Sequence, residues 1–351
     1  MQNKAINSNR FHFRFFSVAR NPRLKNLIFF SFRLGITFIT LWYLYVHIWK
    51  SRDFENSFGL LKNAFQNTQG ILLFGISLLL IGVNWGLEAW KWKILINKFI
   101  PVSYQTAFKA ILAGTSISLW VPNRAGEYLG RILFVPEGLR MKGIFATLAG
   151  SAAQLIVTLI LGGIGVLYFI GNVLGNYYLL IGVAALIIIL SCCLVFLYLH
   201  IGKIRKYIPN YTWLKEIKKY ARVYKFYSRQ ELNKVLQLSI LRYLVFCSQF
   251  LLLTYFFGVR IPIVDGLLLL FLIYLIQTII PTTTLTELGV RGASTVFFFS
   301  SFTSHTTGVL AASYTLWFIN LALPGMLGLI FLVMGKSRKQ KAITFDSSFT
   351  P

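Results

Sequence analysis

Apolar runs near the roughly 20 residues an α-helix needs to cross a bilayer recur along this chain. The clearest lie at 27–48, 71–90, 144–170, 177–199, 236–257 and 307–334. After the second and the fifth runs the pattern changes, and shorter apolar arms flank a proline, Pro122 in one place and Pro281 in the other. About 15 apolar residues precede Pro122 and about ten follow Glu127, so each arm falls short of a crossing. Proline removes a helical N–H and pushes the residue before it out of the helical region. Each such segment is therefore predicted to leave one membrane face and return to it. The fold expected is an all-α polytopic integral membrane protein with about six full spans plus two re-entrant hairpins, at 105–135 and 262–304.

The two hairpins look like copies of each other. The first runs from Ile100-Pro101 through Pro122 to Glu127 and Arg131, and the second from Ile261-Pro262 through Pro281 to Glu287 and Arg291. Backbone freed at membrane depth is tolerated only where it is buried in protein or lines water. The polar residues at the turns answer that need: Asn123, Arg124 and Gly126 in the first, Thr282, Thr283, Thr284 and Thr286 in the second.

Charge supplies the orientation. The 351 residues carry 35 Lys and Arg against 10 Asp and Glu, a formal net charge of +25. Seven of the basic residues lie in 1–33 with no acid, and ten lie in 201–235 against Glu216 and Glu231. Lys336, Arg338, Lys339 and Lys341 follow in the tail. The positive-inside rule places all three segments, and so both termini, in the cytoplasm. The two hairpins then enter from opposite faces, which makes the repeat inverted, and such repeats put their site near mid-membrane. The domain organisation expected is a basic cytoplasmic segment at 1–26, a transmembrane domain at 27–334 and a cytoplasmic tail at 335–351. No cleavable signal peptide is evident, so the first span is expected to act as an uncleaved anchor. In the loop 201–235, Trp213, Ile217, Tyr220 and Tyr224 recur at helical spacing with Lys215, Lys218, Lys219, Arg222 and Lys225 largely off that stripe. This reads as a helix lying on the inner leaflet. Anionic lipid headgroups, not nucleic acid, are the partner this charge implies. A loop of that length has no room for a soluble catalytic domain.

Glu127 and Arg131, like Glu287 and Arg291, are four residues apart and share a helix face. Ionisable groups at membrane depth are the default site hypothesis. Two readings are open: structural ion pairs, or arginines that meet an anionic lipid phosphate, for which their planar fork suits them. Arg124 would add a third cationic contact. Glu88, within the run Trp85 to Lys93, reads as part of an interfacial belt paired with Lys91 or Lys93. Asp265 and Arg260 read as solvated. Gln154, Gln249 and Gln277 either line a polar path or bond helix to helix, and Gly162 to Gly165 reads as close helix packing. Cys192, Cys193 and Cys247 read as small buried apolar residues. Neither metal-ligand spacing nor a nucleotide loop or activated nucleophile is present, so no cofactor, no metal and no catalytic residue is expected.

The run Val121-Pro122-Asn123-Arg124-Ala125-Gly126-Glu127-Tyr128-Leu129-Gly130-Arg131 resembles the Pro-x-Arg-x-Gly-Glu-x-x-x-Arg pattern of the flippase-like transmembrane region of lysylphosphatidylglycerol synthases and its stand-alone homologues. Thr286-Glu287-Leu288-Gly289-Val290-Arg291-Gly292 is similar to that family's Gly-Leu-Gly-Val-Arg-Glu pattern. There it departs, with Glu287 where the family usually has Gly and Gly292 where it usually has Glu. The resemblance implies a protein of a bacterial or archaeal inner membrane, related to lipid translocation. The synthases' soluble aminoacyl-transferase domain is absent from this sequence, so lysyl transfer is not implied. The leading expectation is a non-enzymatic transporter that binds an anionic phospholipid headgroup or a lipid-linked precursor between the hairpins, through Arg124, Glu127, Arg131, Glu287 and Arg291. The alternatives are a membrane-embedded lipid-modifying enzyme using Glu127 or Glu287, and a non-transporting partner of an envelope-assembly enzyme.

Overall fold

A computed structural model describes residues 57–121, 125–204, 224–280 and 284–333, with scattered positions in 31–46. Most of the expected span 27–48, the proline turns at 122–124 and 281–283, the surface helix within 205–223 and both tails lie outside the described residues.

Every regular element among the described residues is helical. A short α1 (Ser57–Gln66) precedes α2 (Thr68–Ile96), which is started by the Asn67 side chain accepting the Gln69 N–H. The first hairpin is α3 (Tyr104–Ser118) and α4 (Gly126–Ile132), followed by a 3₁₀ turn (Glu137–Leu139) that runs into α5 (Arg140–Phe169). Next come α6 (Tyr177–Ile204) and α7 (Arg229–Phe256). The second hairpin is α8 (Ile263–Ile279) and α9 (Thr284–Phe299), and α10 (Thr306–Trp317) continues through a π-helical turn (Phe318–Ala322).

Among the described residues, five helical segments are long and apolar enough to cross a membrane: Thr68–Ile96, Glu137–Leu174, Tyr177–His200, Arg229–Phe256 and Thr306–Val333. They correspond to five of the six expected spans. The helix expected at 236–257 begins seven residues earlier, because Ser228 and Glu231 form a reciprocal capping box that starts it in polar sequence. The hairpin arms are short, as expected. The 15 residues of α3 rise about 22 Å and the 17 of α8 about 25 Å, against a hydrocarbon core of about 30 Å.

Contacts at its two ends make α2 antiparallel to α7. Lys98, just past the end of α2, meets Glu231 in the first turn of α7 at 2.8 Å, and Phe99 packs edge-on against Phe226 and Tyr227. At the other end Phe65 and Phe74 pack on Phe256. The first hairpin follows the end of α2 and the second follows the end of α7, so the two enter from opposite ends of the bundle.

Small residues set how closely the elements approach. A Cβ on Gly130 would collide with the backbone of Gly114, so the two arms of the first hairpin touch main chain to main chain. A side chain at Gly162 or Gly165 of α5 would strike Leu275 or Leu272 of α8, which bears out the close packing expected there. Two sequence expectations are corrected. Cys247 is buried, but Cys192 and Cys193 are exposed, because α6 lies at the periphery and turns that face away from the protein. Asp265 is half-buried, not solvated, and accepts the Tyr168 hydroxyl at 2.7 Å.

Candidate functional site

Glu88 of α2 is the centre of a buried charge cluster. Lys91, one turn along, lies 2.7 Å from it. Arg131 of α4 reaches it at 3.1 Å and Arg242 of α7 at 3.4 Å. Arg131 also holds Glu127 at 3.0 Å. The Gln154 side-chain oxygen accepts from Lys91 at 3.5 Å and from Arg242 at 3.4 Å, which brings α5 into the network. Glu88 is 5% exposed, and Lys91 and Arg131 are 2% exposed. Charges so buried persist only when paired and hydrogen-bonded. The pairing of Glu88 with Lys91 is as expected, but its place in an interfacial belt is not. Trp85 and Trp92 are buried with it, while Trp90 faces outward. Positions 85, 88 and 92 fall on one helical face, and that face points into the protein.

A cavity of about 570 Å³ is lined by residues of both hairpins. Ser118 and Val121 line it from the first hairpin, and Gln277 to Ile280, Glu287 and Arg291 from the second. Arg242 lines it from α7, stacked over the Trp85 ring at 5.5 Å. Opposite, the π-helical turn brings in Asn320, which accepts a hydrogen bond from Asn84 at 2.9 Å. Arg291 is 5% exposed and bonds Glu287 at 3.0 Å, yet its Nε and Nη1 make no hydrogen bond, nor does Nε of Arg242. Gln154 and Gln277 both line this cavity, whereas Gln249 is a helix-to-helix bond, donating to the Ser77 carbonyl at 2.9 Å.

The five residues singled out in the sequence separate into three groups. Glu287 and Arg291 line the cavity. Glu127 and Arg131 belong to the Glu88 cluster beside it and are not among its lining residues. Arg124 lies outside the described residues. Arg242 was not singled out, although a lone arginine within the apolar run Ile240-Leu241-Arg242-Tyr243-Leu244 is the signal that marks a site in a span.

In the cluster, Lys91, Arg131 and Arg242 face Glu88 and Glu127, three cations against two carboxylates among the described residues. The second pair adds one charge of each sign. The charged residues that line the cavity itself, among those described, are Arg242, Arg291 and Glu287, a formal excess of one positive charge in a setting of low dielectric, where charges interact more strongly than in water. Among the described residues no group of three or more His, Cys, Asp or Glu is placed to hold a metal ion. Residues 31–328 match the family described as the lysylphosphatidylglycerol synthase TM region. No curated protein and no solved structure matches the chain.

Proposed function

The chain belongs to the lysylphosphatidylglycerol synthase TM region family, and from that footing we propose that it is a non-enzymatic lipid carrier. It takes the phosphate of an anionic lipid, or of a lipid-linked precursor, into the cavity between the hairpins and passes it between leaflets. The observation that supports this reading is a pair of arginines from different helices, Arg242 and Arg291, both lining one cavity. Guanidinium groups bind phosphate oxygens in two-pronged fashion. The location proposed is the inner (cytoplasmic) membrane with both termini inside. Lys93, Lys98, Arg140, Lys142 and Lys234, all at one end of the bundle, support that orientation.

The test is translocation of fluorescent phosphatidylglycerol in proteoliposomes. Arg291→Gln should abolish it, and Arg291→Lys, which keeps the charge but loses the fork, should impair it. Full activity with Gln at 291 in folded, inserted protein would refute the reading.

A further inference from the structure

The last span changes its backbone bonding halfway along. Its first piece is α10 (Thr306–Trp317), its second is 323–333, and the π-helical turn (Phe318–Ala322) joins them. Pro324 follows the turn and explains it. A proline offers no N–H to the carbonyl four residues back, here that of Asn320, and its ring crowds that carbonyl. The chain opens ahead of it, and the Leu323 N–H donates five residues back to the Phe318 carbonyl. Prolines and π-helical turns are where helices bend.

The two pieces pack on different partners. In α10, Ser313 shares a hydrogen bond at 3.4 Å with Thr295 of the second hairpin, and a side chain at Gly292 of α9 would strike Leu310 and Tyr314. The second piece lies on the first hairpin. A Cβ at Gly328 would collide with the Leu112 carbonyl of α3, so the two main chains touch, and one at Gly325 would strike Leu119. Lys109 of α3 lies over the Phe331 ring at 5.9 Å. The junction itself is part of the cavity wall, through Trp317, Asn320 and Leu321. Asn84 of α2 donates to Asn320 there at 2.9 Å.

Resting on the lipid-carrier reading above, we propose that the junction at 318–324 is a hinge. About it the second hairpin with α10 and the first hairpin with 323–333 tilt against each other as lipid passes, and the Asn84–Asn320 bond is its latch. Surfaces packed as closely as Gly328 on Leu112 move as units, because interiors at that density do not deform continuously. The displacement is then taken up at the junction, where the proline has removed a backbone bond. A tilt there reshapes the cavity directly, since Ser118 and Val121 line it from one body and Gln277 and Arg291 from the other. A neutral hydrogen bond between helices in a membrane is weak, so the latch opens and recloses readily.

The experiment measures distances between spin labels in full-length protein whose three cysteines are replaced by alanine. Labels at Phe297 and Ile330, both exposed, span the hinge, and labels at Leu129 and Ile330 lie within one body. Replacing neutral lipid by phosphatidylglycerol should change the first distance by about 2 Å or more, the scale of helix shifts in switching proteins, and leave the second fixed. Pro324→Ala restores the missing N–H. It should bind phosphatidylglycerol as the parent does, yet lose the change in distance and slow translocation in proteoliposomes. Asn84→Ala opens the latch and should broaden the 297–330 distances in neutral lipid, and an unchanged distribution would remove the latch from the proposal. Translocation by the parent with a fixed 297–330 distance would overturn the hinge and leave the carrier reading standing, as would parental translocation by Pro324→Ala. Loss of lipid binding together with a lower melting temperature in Pro324→Ala would make the proline a packing residue and also overturn the hinge. A parent that shows the change in distance but moves no lipid would keep the hinge and sink the carrier reading.

Discussion

Glu88 of α2 and Arg131 of α4, 43 residues apart in the chain, are joined at 3.1 Å in the buried interior. That contact ties the second arm of the first hairpin to the longest helix of the described N-terminal part. The same carboxylate also takes Lys91 and Arg242, so one acid fixes cations from three helices.

Removing that acid should be costly. Glu88→Gln keeps the shape and leaves the buried Lys91 and Arg131 and the half-buried Arg242 with Glu127 as the one carboxylate remaining in the cluster among the described residues. Breaking a buried pair by deleting one partner costs about 3–5 kcal/mol. Thermal unfolding in detergent should show a larger loss for Glu88→Gln than for Glu287→Gln, which faces a single arginine. Equal melting temperatures for the two variants would contradict the central role given to Glu88.

The two hairpin arginines should behave differently. Arg131→Gln should act mainly on stability, because its partners are Glu88 and Glu127 in the interior. Pairing it with Glu127→Gln should recover part of the loss, since that removes the second charge as well. Arg291→Gln should act mainly on lipid movement per folded molecule. Reversal of that order, with Arg131→Gln inactive but stable, would move the site into the Glu88 cluster.

Main-chain contact at Gly130 makes even one methyl group intrusive. Gly130→Ala should cost about 1–3 kcal/mol, the usual range for overpacking. Gly138→Ala, where an added Cβ meets nothing within 4 Å, is the control and should stay within about 0.5 kcal/mol of the parent. Equilibrium unfolding of both variants checks this, and a neutral Gly130→Ala would mean that the arms have room to separate.

Single cysteines test the opposed ends. With Cys192, Cys193 and Cys247 replaced by alanine, Gln66→Cys should react with an impermeant thiol reagent added outside intact cells. Gln230→Cys should react only after lysis. Both side chains are exposed, so labelling reports the side of the membrane. Labelling of both positions from outside would break the antiparallel arrangement of α2 and α7.

Much of this was legible in the sequence because it is local. Apolar run length located five spans, and a proline between short apolar arms located both hairpins. Spacing of four residues located both acid–base pairs. What spacing cannot show is which surroundings a pair meets. Glu127–Arg131 and Glu287–Arg291 look equivalent as sequence, yet one is drawn into a cluster by Glu88 and the other faces a cavity. The difference is made by partners 43 or more residues distant, such as Glu88 for Arg131. Glu88 looked interfacial because lysines and tryptophans surround it. Its inward position follows from α7 and α4 packing across that face, which no periodicity in the run itself specifies.

The peripheral helix α6 adds almost nothing to the interior. Its residues from Tyr177 to His200 are exposed or half-buried except Tyr198, whose hydroxyl donates to the Ala149 carbonyl. Its contribution is one of parity. Each hairpin returns the chain to the face it left, so α5 and α6 together decide on which face α7 begins. Without that one crossing, α7 would start from the far side and run alongside α2 instead of against it, and both hairpins would open on the same face. The side chains of α6 are thus replaceable by other apolar ones of similar length, whereas its presence is what turns a duplicated hairpin into an opposed pair.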